Sequence, residues 1–354
     1  MPRLAKRKAT VALGPVGYAR LDDYIHRVAF SADGTKFAAC SASGEVAVWD
    51  VPSFKQTCQL KGHQQSAMTL DWHPKQNELA TGGQDGMVRL WRMEVGEERA
   101  VLEVGKQGAW VEHLAWSPDG STLAASTGKV LRLWTHTPSA VLSPLAGEVP
   151  AHKTTISALA WMPRGGGVLS ACYGGAWLWK LGSDKPVRSF PYDGALLSIA
   201  VSPSGEYLAS GNLDGSVHLF RTDSEQNWHM SGYPMKVSLV RFDHDGLNLF
   251  TASGPALVGW SMKKFEGTGG RLFKGHLGWI REIACHPHQS VVATAGEDGL
   301  LCFWEPQTTK PMLSQEINKS GGLSCVAWSA TGAWLATGTN DGVVSLFSVQ
   351  GLGD

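Results

Sequence analysis

Apolar and polar residues along this chain alternate in short runs that recur in a fixed order. In one block, Val28 to Phe30, Lys36 to Cys40 and Glu45 to Trp49 alternate or carry β-branched and aromatic residues, the pattern of half-buried strands. Turns separate the runs. Ala32-Asp33-Gly34, Pro118-Asp119-Gly120, Pro203-Ser204-Gly205 and His244-Asp245-Gly246 supply the Gly or Asp that a tight reversal needs. No stretch of useful length has helical periodicity, so the pattern predicts an all-β chain.

The blocks form a repeat. Each ends on an aromatic residue: Trp49, Trp91, Trp134, Trp179, Phe220, Trp260, Trp304 and Phe347, at steps of 42, 43, 45, 41, 40, 44 and 43 residues. That period is one four-stranded propeller blade of roughly 40 to 45 residues. Connecting segments such as Gln56 to Leu60, Arg99 to Val104 and Arg271 to Phe273 provide outer strands for seven blocks, and Ala9 to Leu13 is the candidate for the eighth. Pairing that early segment with the last block closes the ring and removes an exposed sheet edge. The expected architecture is a single closed β-propeller of eight four-stranded blades, seven being the alternative count. A basic tail over 1–8 and a short tail over 350–354 flank a propeller spanning 9–349.

Composition narrows the function. The 42 glycines and 15 tryptophans fit many turns and one repeated aromatic position. With 31 basic and 31 acidic residues the chain has no net field to recruit nucleic acid or acidic lipid. The only noticeable basic runs, Lys6-Arg7-Lys8 and Lys263-Lys264, are short and lack interleaved aromatics. Cys40, Cys58, Cys172, Cys285, Cys302 and Cys325 show no paired spacing and read as reduced thiols, which points to the cytoplasm. Ala9 to Gly14 is too short for a signal-peptide core, and no run approaches the roughly 18 apolar residues of a membrane helix.

Particular dipeptides carry a family resemblance. Trp49-Asp50, Trp91-Arg92 and Trp304-Glu305 at block ends, with Gly62-His63, Ala151-His152 and Gly275-His276 before the inner strands, make the chain resemble the WD40-repeat family over nearly its whole length. Two blocks are complete: His63, Thr81, Asp85 and Trp91, and His276, Thr294, Asp298 and Trp304. The resemblance implies a buried chain of hydrogen bonds from Asp through His and Thr to the indole in each. Elsewhere the pattern breaks. Asp214 and Asp341 lack the His, His152 faces Tyr173 where Asp is expected, and Ser43, Gly128 and Gly254 hold the Asp position in other blocks. Those blades are expected to rely on apolar packing.

No reading of the residues favours catalysis, a cofactor or a metal. The Thr-His-Asp sets sit at blade-stabilising positions, and no G-x-S-x-G elbow is present. His73-Pro74 and His286-Pro287 fill the turn that Ser117-Pro118 and Ser202-Pro203 fill in sister blocks, so Cys285-His286-Pro287-His288 is a turn before it is a ligand set. Quinone-dependent dehydrogenases also form eight-bladed rings rich in Trp, but the lone Thr127-Gly128-Lys129 here leads into an ordinary strand.

Five tryptophans leave the repeat positions: Trp110, Trp177, Trp228, Trp279 and Trp334. Trp110 and Trp279 precede the inner strand, where the resemblance places the ring's top face, with Tyr24 and Lys236 as equivalents. Two residues on lie His26, Glu112 and Arg281, pointing the same way along a strand. Aromatics with Arg, His and Glu around a channel mouth have the composition of an interface hot spot. The expectation is a non-catalytic scaffold that binds a protein or peptide through Tyr24, His26, Trp110, Glu112, Lys236, Trp279 and Arg281. The alternative is a small-ligand or metal-handling protein using His and Cys in the central channel.

Overall fold

The computed structural model describes residues 11–105, 109–137, 140–144, 152–263, 265, 269–319 and 321–352. Lys6-Arg7-Lys8, Ala9, Ala151, Lys264 and the last residues of the C-terminal tail lie outside them. Every regular element among the described residues is a strand. Hydrogen bonding joins the strands into seven sheets, six of four strands and one of six. The six-stranded sheet is two blades in one. Its 14-residue strand Arg188–Val201 pairs with the preceding strand through Arg188 to Ala195 and with the following one through Leu196 to Val201. One half is thus the outer strand of blade 4 and the other the inner strand of blade 5. The partner strand, Val168–Trp179, doubles back at Gly174 and Gly175, whose φ angles of 97° and 136° suit glycine alone. Eight inner strands result, each packed on the next, and the first, Ile25–Phe30, also packs on the last, Leu323–Trp328. The ring is closed and its blades are eight.

The closing strand is the early one, further along than expected. It runs Ala12–Arg20 antiparallel to Val343–Gln350, sharing Ala12 and Leu13 with the expected segment, whose Ala9 and Thr10 lie outside the described residues. Gly14, Pro15 and Gly17 read as strand breakers, yet on an outer strand the missing N–H of Pro15 is not needed, and the register slips by one between Pro15 and Gly17 to absorb the irregularity.

The core lies between blades. The cluster of Ala80, Val88, Leu90, Val111, Leu114, Trp116 and Leu123 is shared by blades 2 and 3, and equivalent clusters repeat around the ring. Tryptophans before the first turn tie blade to blade: the indoles of Trp72, Trp161 and Trp328 donate to the carbonyls of Ala29, Ala115 and Ala284 in the preceding blade. His73 and His286 are turn residues, as the repeat implies. The Nδ1 of His73 accepts the N–H groups of Lys75 and Gln76, and that of His286 accepts those of His288 and Gln289.

Candidate protein-binding face

Two kinds of loop meet on one face of the ring: the segment leading into each inner strand and the turn between the second and third strands. Backbone bonds join them, Ala42 N–H to Tyr24 O, Gln84 N–H to Ser66 O, Leu213 N–H to Ala195 O and Glu297 N–H to Trp279 O. In six inner strands the register then slips at the same place, and the skipped residue is His26, Met68, Glu112, Leu197, Arg281 or Ser324. Such a bulge re-aims its side chain, so the repeat itself presents this ring of residues differently from their neighbours.

Five of the seven expected residues gather on one arc. Trp279 lies between two cations, with Lys236 Nζ 5.5 Å from its ring and the Arg281 guanidinium 5.9 Å away. Arg281 is paired with Glu297, whereas Lys236 is exposed with no ion-pair partner among the described residues. Tyr24 sits within the field of Arg281 and Glu297, and burial raises the pKa of its phenol. His26 stacks obliquely on Tyr24 at 5.1 Å and bonds Ser66 Oγ at 3.0 Å; burial lowers its pKa, keeping the imidazole neutral. Trp110, 48% exposed, and Glu112 stand apart on blade 3; among the described residues no ring contact or hydrogen bond joins them to the other five.

The sequence reading missed further apolar residues on this face. Leu277 is 90% exposed, Leu213 57% and Met235 41%. A signal was present: Leu277 and Leu213 stand where sister blades carry Gln64 or Asp193, and Gln84 or Glu297.

Beneath the face run the polar links of the blades. His63 Nδ1–H donates to Asp85 at 3.0 Å, so its Nε2 accepts the Thr81 hydroxyl at 2.9 Å, and that oxygen accepts the Trp91 indole N–H at 3.0 Å. The second set repeats this at 3.1, 2.7 and 2.8 Å through Asp298, His276, Thr294 and Trp304. Both hydroxyls are engaged by indoles and poorly placed for attack on a substrate.

Incomplete blades do not rest on apolar packing alone, contrary to expectation. In blade 6 the Trp260 indole donates to the Tyr233 hydroxyl at 2.8 Å, which bonds Thr251 at 2.7 Å. Burial pushes the Tyr233 phenol up to about 12. In blade 5 the Tyr192 hydroxyl donates to Asp214 at 2.5 Å. Both tyrosines occupy the position of His63, three residues before the lead-in residue, and a phenol both donates and accepts. Blade 4 keeps only part of the chain: His152 Nε2 meets Ser170 Oγ at 2.7 Å and Trp179 donates to the same oxygen at 2.8 Å, but the buried His152 Nδ1 has no partner among the described residues.

Among the described residues no group of three His, Cys, Asp or Glu side chains could hold a metal ion. On the inner strands Asp71 and His113 are buried within the field of Arg27, and Arg241 pairs with Glu282 at 2.9 Å.

The family model for the WD domain, G-beta repeat, matches residues 18–50, 54–92, 98–135, 184–221, 267–305 and 311–348, more than half of the chain. The chain belongs to the WD40 family. The unmatched stretches are those of blades 4 and 6, where the polar chain is altered. This WD40 protein is 24% identical over 286 residues to the serine-threonine kinase receptor-associated protein of Mus musculus, covering 75% of this chain and 79% of that one. It is 23% identical over 318 residues to the guanine nucleotide-binding protein subunit beta of Solanum tuberosum, with coverage of 82% and 83%. THO complex subunit 3 of Arabidopsis thaliana is 25% identical over 248 residues, covering 65% and 73%. The crystal structure of the computationally designed Ika8 protein matches with a TM-score of 0.79 over 95% of this chain and 100% of that one, at 19% identity. That likeness shows the fold. WD40 propellers of this kind are generally non-enzymatic scaffolds, and no helix among the described residues is long and apolar enough to cross a membrane.

Proposed function

We propose that this WD40 propeller is a non-catalytic scaffold that holds a protein or peptide on the face of lead-in segments and second turns. The carrying observation is Trp279, flanked by Lys236 and Arg281 from two blades and bordered by exposed Leu277 and Met235. Tyr24 and His26 extend this centre, and Trp110 with Glu112 forms a separate contact on blade 3. Aromatic and Arg anchors amid apolar surface dominate interface energetics, and a pre-ordered ring loses little entropy on binding. The similar proteins support the reading by their names, which describe a receptor-associated protein, a subunit of a guanine nucleotide-binding protein and a subunit of a complex. Zero net charge supports partners other than nucleic acid or membrane, and six unpaired thiols support a cytoplasmic setting.

The test is capture of partners on the immobilised chain, identified by mass spectrometry, then affinity measurement with Trp279→Ala and Trp110→Ala together. A loss of tenfold or more is expected for a partner anchored here. Unchanged affinity, with the far-ultraviolet circular dichroism and melting temperature of the parent chain, overturns the assignment of this face.

A further inference from the structure

Trp177 takes no part in the face just described. Its position on the third strand of blade 4 is held by Arg89, Arg132 and His218 in three sister blades and by the smaller Ala47, Val258, Cys302 and Ser345 in the other four, so Trp177 places the one indole found at this position. The turn before it is one residue shorter than in blade 2, reversing through Gly174 and Gly175. A Cβ on Gly175 would fall 2.3 Å from the Phe190 carbonyl oxygen, so the tight turn depends on glycine. This turn leaves Tyr173 55% exposed beside Trp177.

A cavity of about 580 Å³ opens there, lined by His152, Lys153, Tyr173, Trp177, Trp179 and Pro186 among others. The imidazole of His152 meets Trp177 edge-on at 5.8 Å, which fixes one wall. The cavity is aromatic and ring-lined, and among the described residues its unengaged polar groups are the Trp177 indole N–H, the Lys153 ammonium, the Tyr173 hydroxyl and the buried His152 Nδ1. No carboxylate or carboxamide is among its described lining residues. It therefore suits a ligand with flat apolar rings and carbonyl acceptors, and few donors of its own. Proline-rich chain has that chemistry: its rings are apolar, proline lacks an N–H, and the polyproline II form leaves carbonyls pointing outward at little entropic cost. Aromatic walls alone can hold a cation, but the Lys153 ammonium in the lining disfavours one by like-charge repulsion.

We propose that this cavity of blade 4 docks a proline-rich segment of a partner protein in the polyproline II conformation, with Tyr173 and Trp177 as the stacking walls and the Trp177 indole donating to a ligand carbonyl. The inference extends the protein-binding reading to a second site. Its test reads a different residue, so failure here leaves the Trp279 face standing and failure there leaves this cavity standing.

The full chain with nitrogen-15-labelled indoles is titrated with capped decaproline, the Trp177 signal being identified from Trp177→Phe. A saturable shift of that signal is expected, with affinity reduced tenfold or more by Tyr173→Ala, a change at an exposed position that leaves the fold intact. Absence of a shift at millimolar decaproline overturns the proposal. So does an equal or stronger response to a capped trimethyllysine peptide, which would mark a cation cage, or to a capped Glu-Leu dipeptide, which would mark an acid site.

Discussion

Blades 2 and 6 solve the same problem with different residues. In blade 2 an Asp-orientated His63 holds Thr81 and, through it, the Trp91 indole; in blade 6 one phenol, Tyr233, reaches both Trp260 and Thr251 without any Asp. The requirement that these two blades share is a satisfied indole N–H where the third strand ends on Trp, because a buried donor left unpaired costs about 1–3 kcal/mol. The identity of the group that satisfies it is free to change. Blade 4 shows what happens when the change is incomplete: the indole is satisfied, but His152 Nδ1 is not.

Substitutions can break this comparison in order of expected size. Thr294→Val removes the oxygen shared by His276 and Trp304, leaving two buried groups unpaired, and is expected to cost about 3 kcal/mol in a urea unfolding curve. Tyr233→Phe should cost about 2 kcal/mol by the same measurement, since the Trp260 N–H and Thr251 lose one partner between them. A cost near zero would show that blade 6 rests on packing. Blade 4 should be more tolerant. His152→Phe removes a donor that has no acceptor, and its cost is expected to be about 1 kcal/mol smaller than that of His63→Phe.

The smallest effect is that of acid. Asp85 and Asp298 are pushed up by burial, but hydrogen bonds and the neighbouring imidazoles outweigh this and hold both below the usual carboxylate range. A depressed folded pKa adds stability above the unfolded value, near 3.9, and loses it as pH falls through the folded value. Melting temperature should therefore fall as pH drops below about 4. In Asp85→Asn plus Asp298→Asn that part of the acid slope should be reduced, which differential scanning fluorimetry across pH 2 to 7 would read.

Much of the ring was legible because its signal is periodic. Terminal aromatics 40 to 45 residues apart locate every third strand, and the two full tetrads follow from His, Thr, Asp and Trp at matching offsets. What stayed hidden depends on three dimensions. Tyr192 and Tyr233 occupy the His position, but a sequence does not show that a phenol oxygen arrives where an imidazole nitrogen would. The strand over Ala12–Arg20 was obscured by Gly14, Pro15 and Gly17, residues that an outer strand tolerates. On the candidate face, the position of Trp279 was readable from the repeat; its cation neighbour Lys236 comes from another blade, and adjacency between blades is set by ring closure.

That closure also sets a timetable. Ser348 donates to the Gly14 carbonyl across 334 positions of chain. At ribosomal rates of about 5–20 residues per second, the first strand waits roughly 20 to 70 s for its partner. Throughout that interval the outer strand of blade 8 has no partner strand and the ring no seal, so the nascent protein must remain an open arc until its final block has left the ribosome.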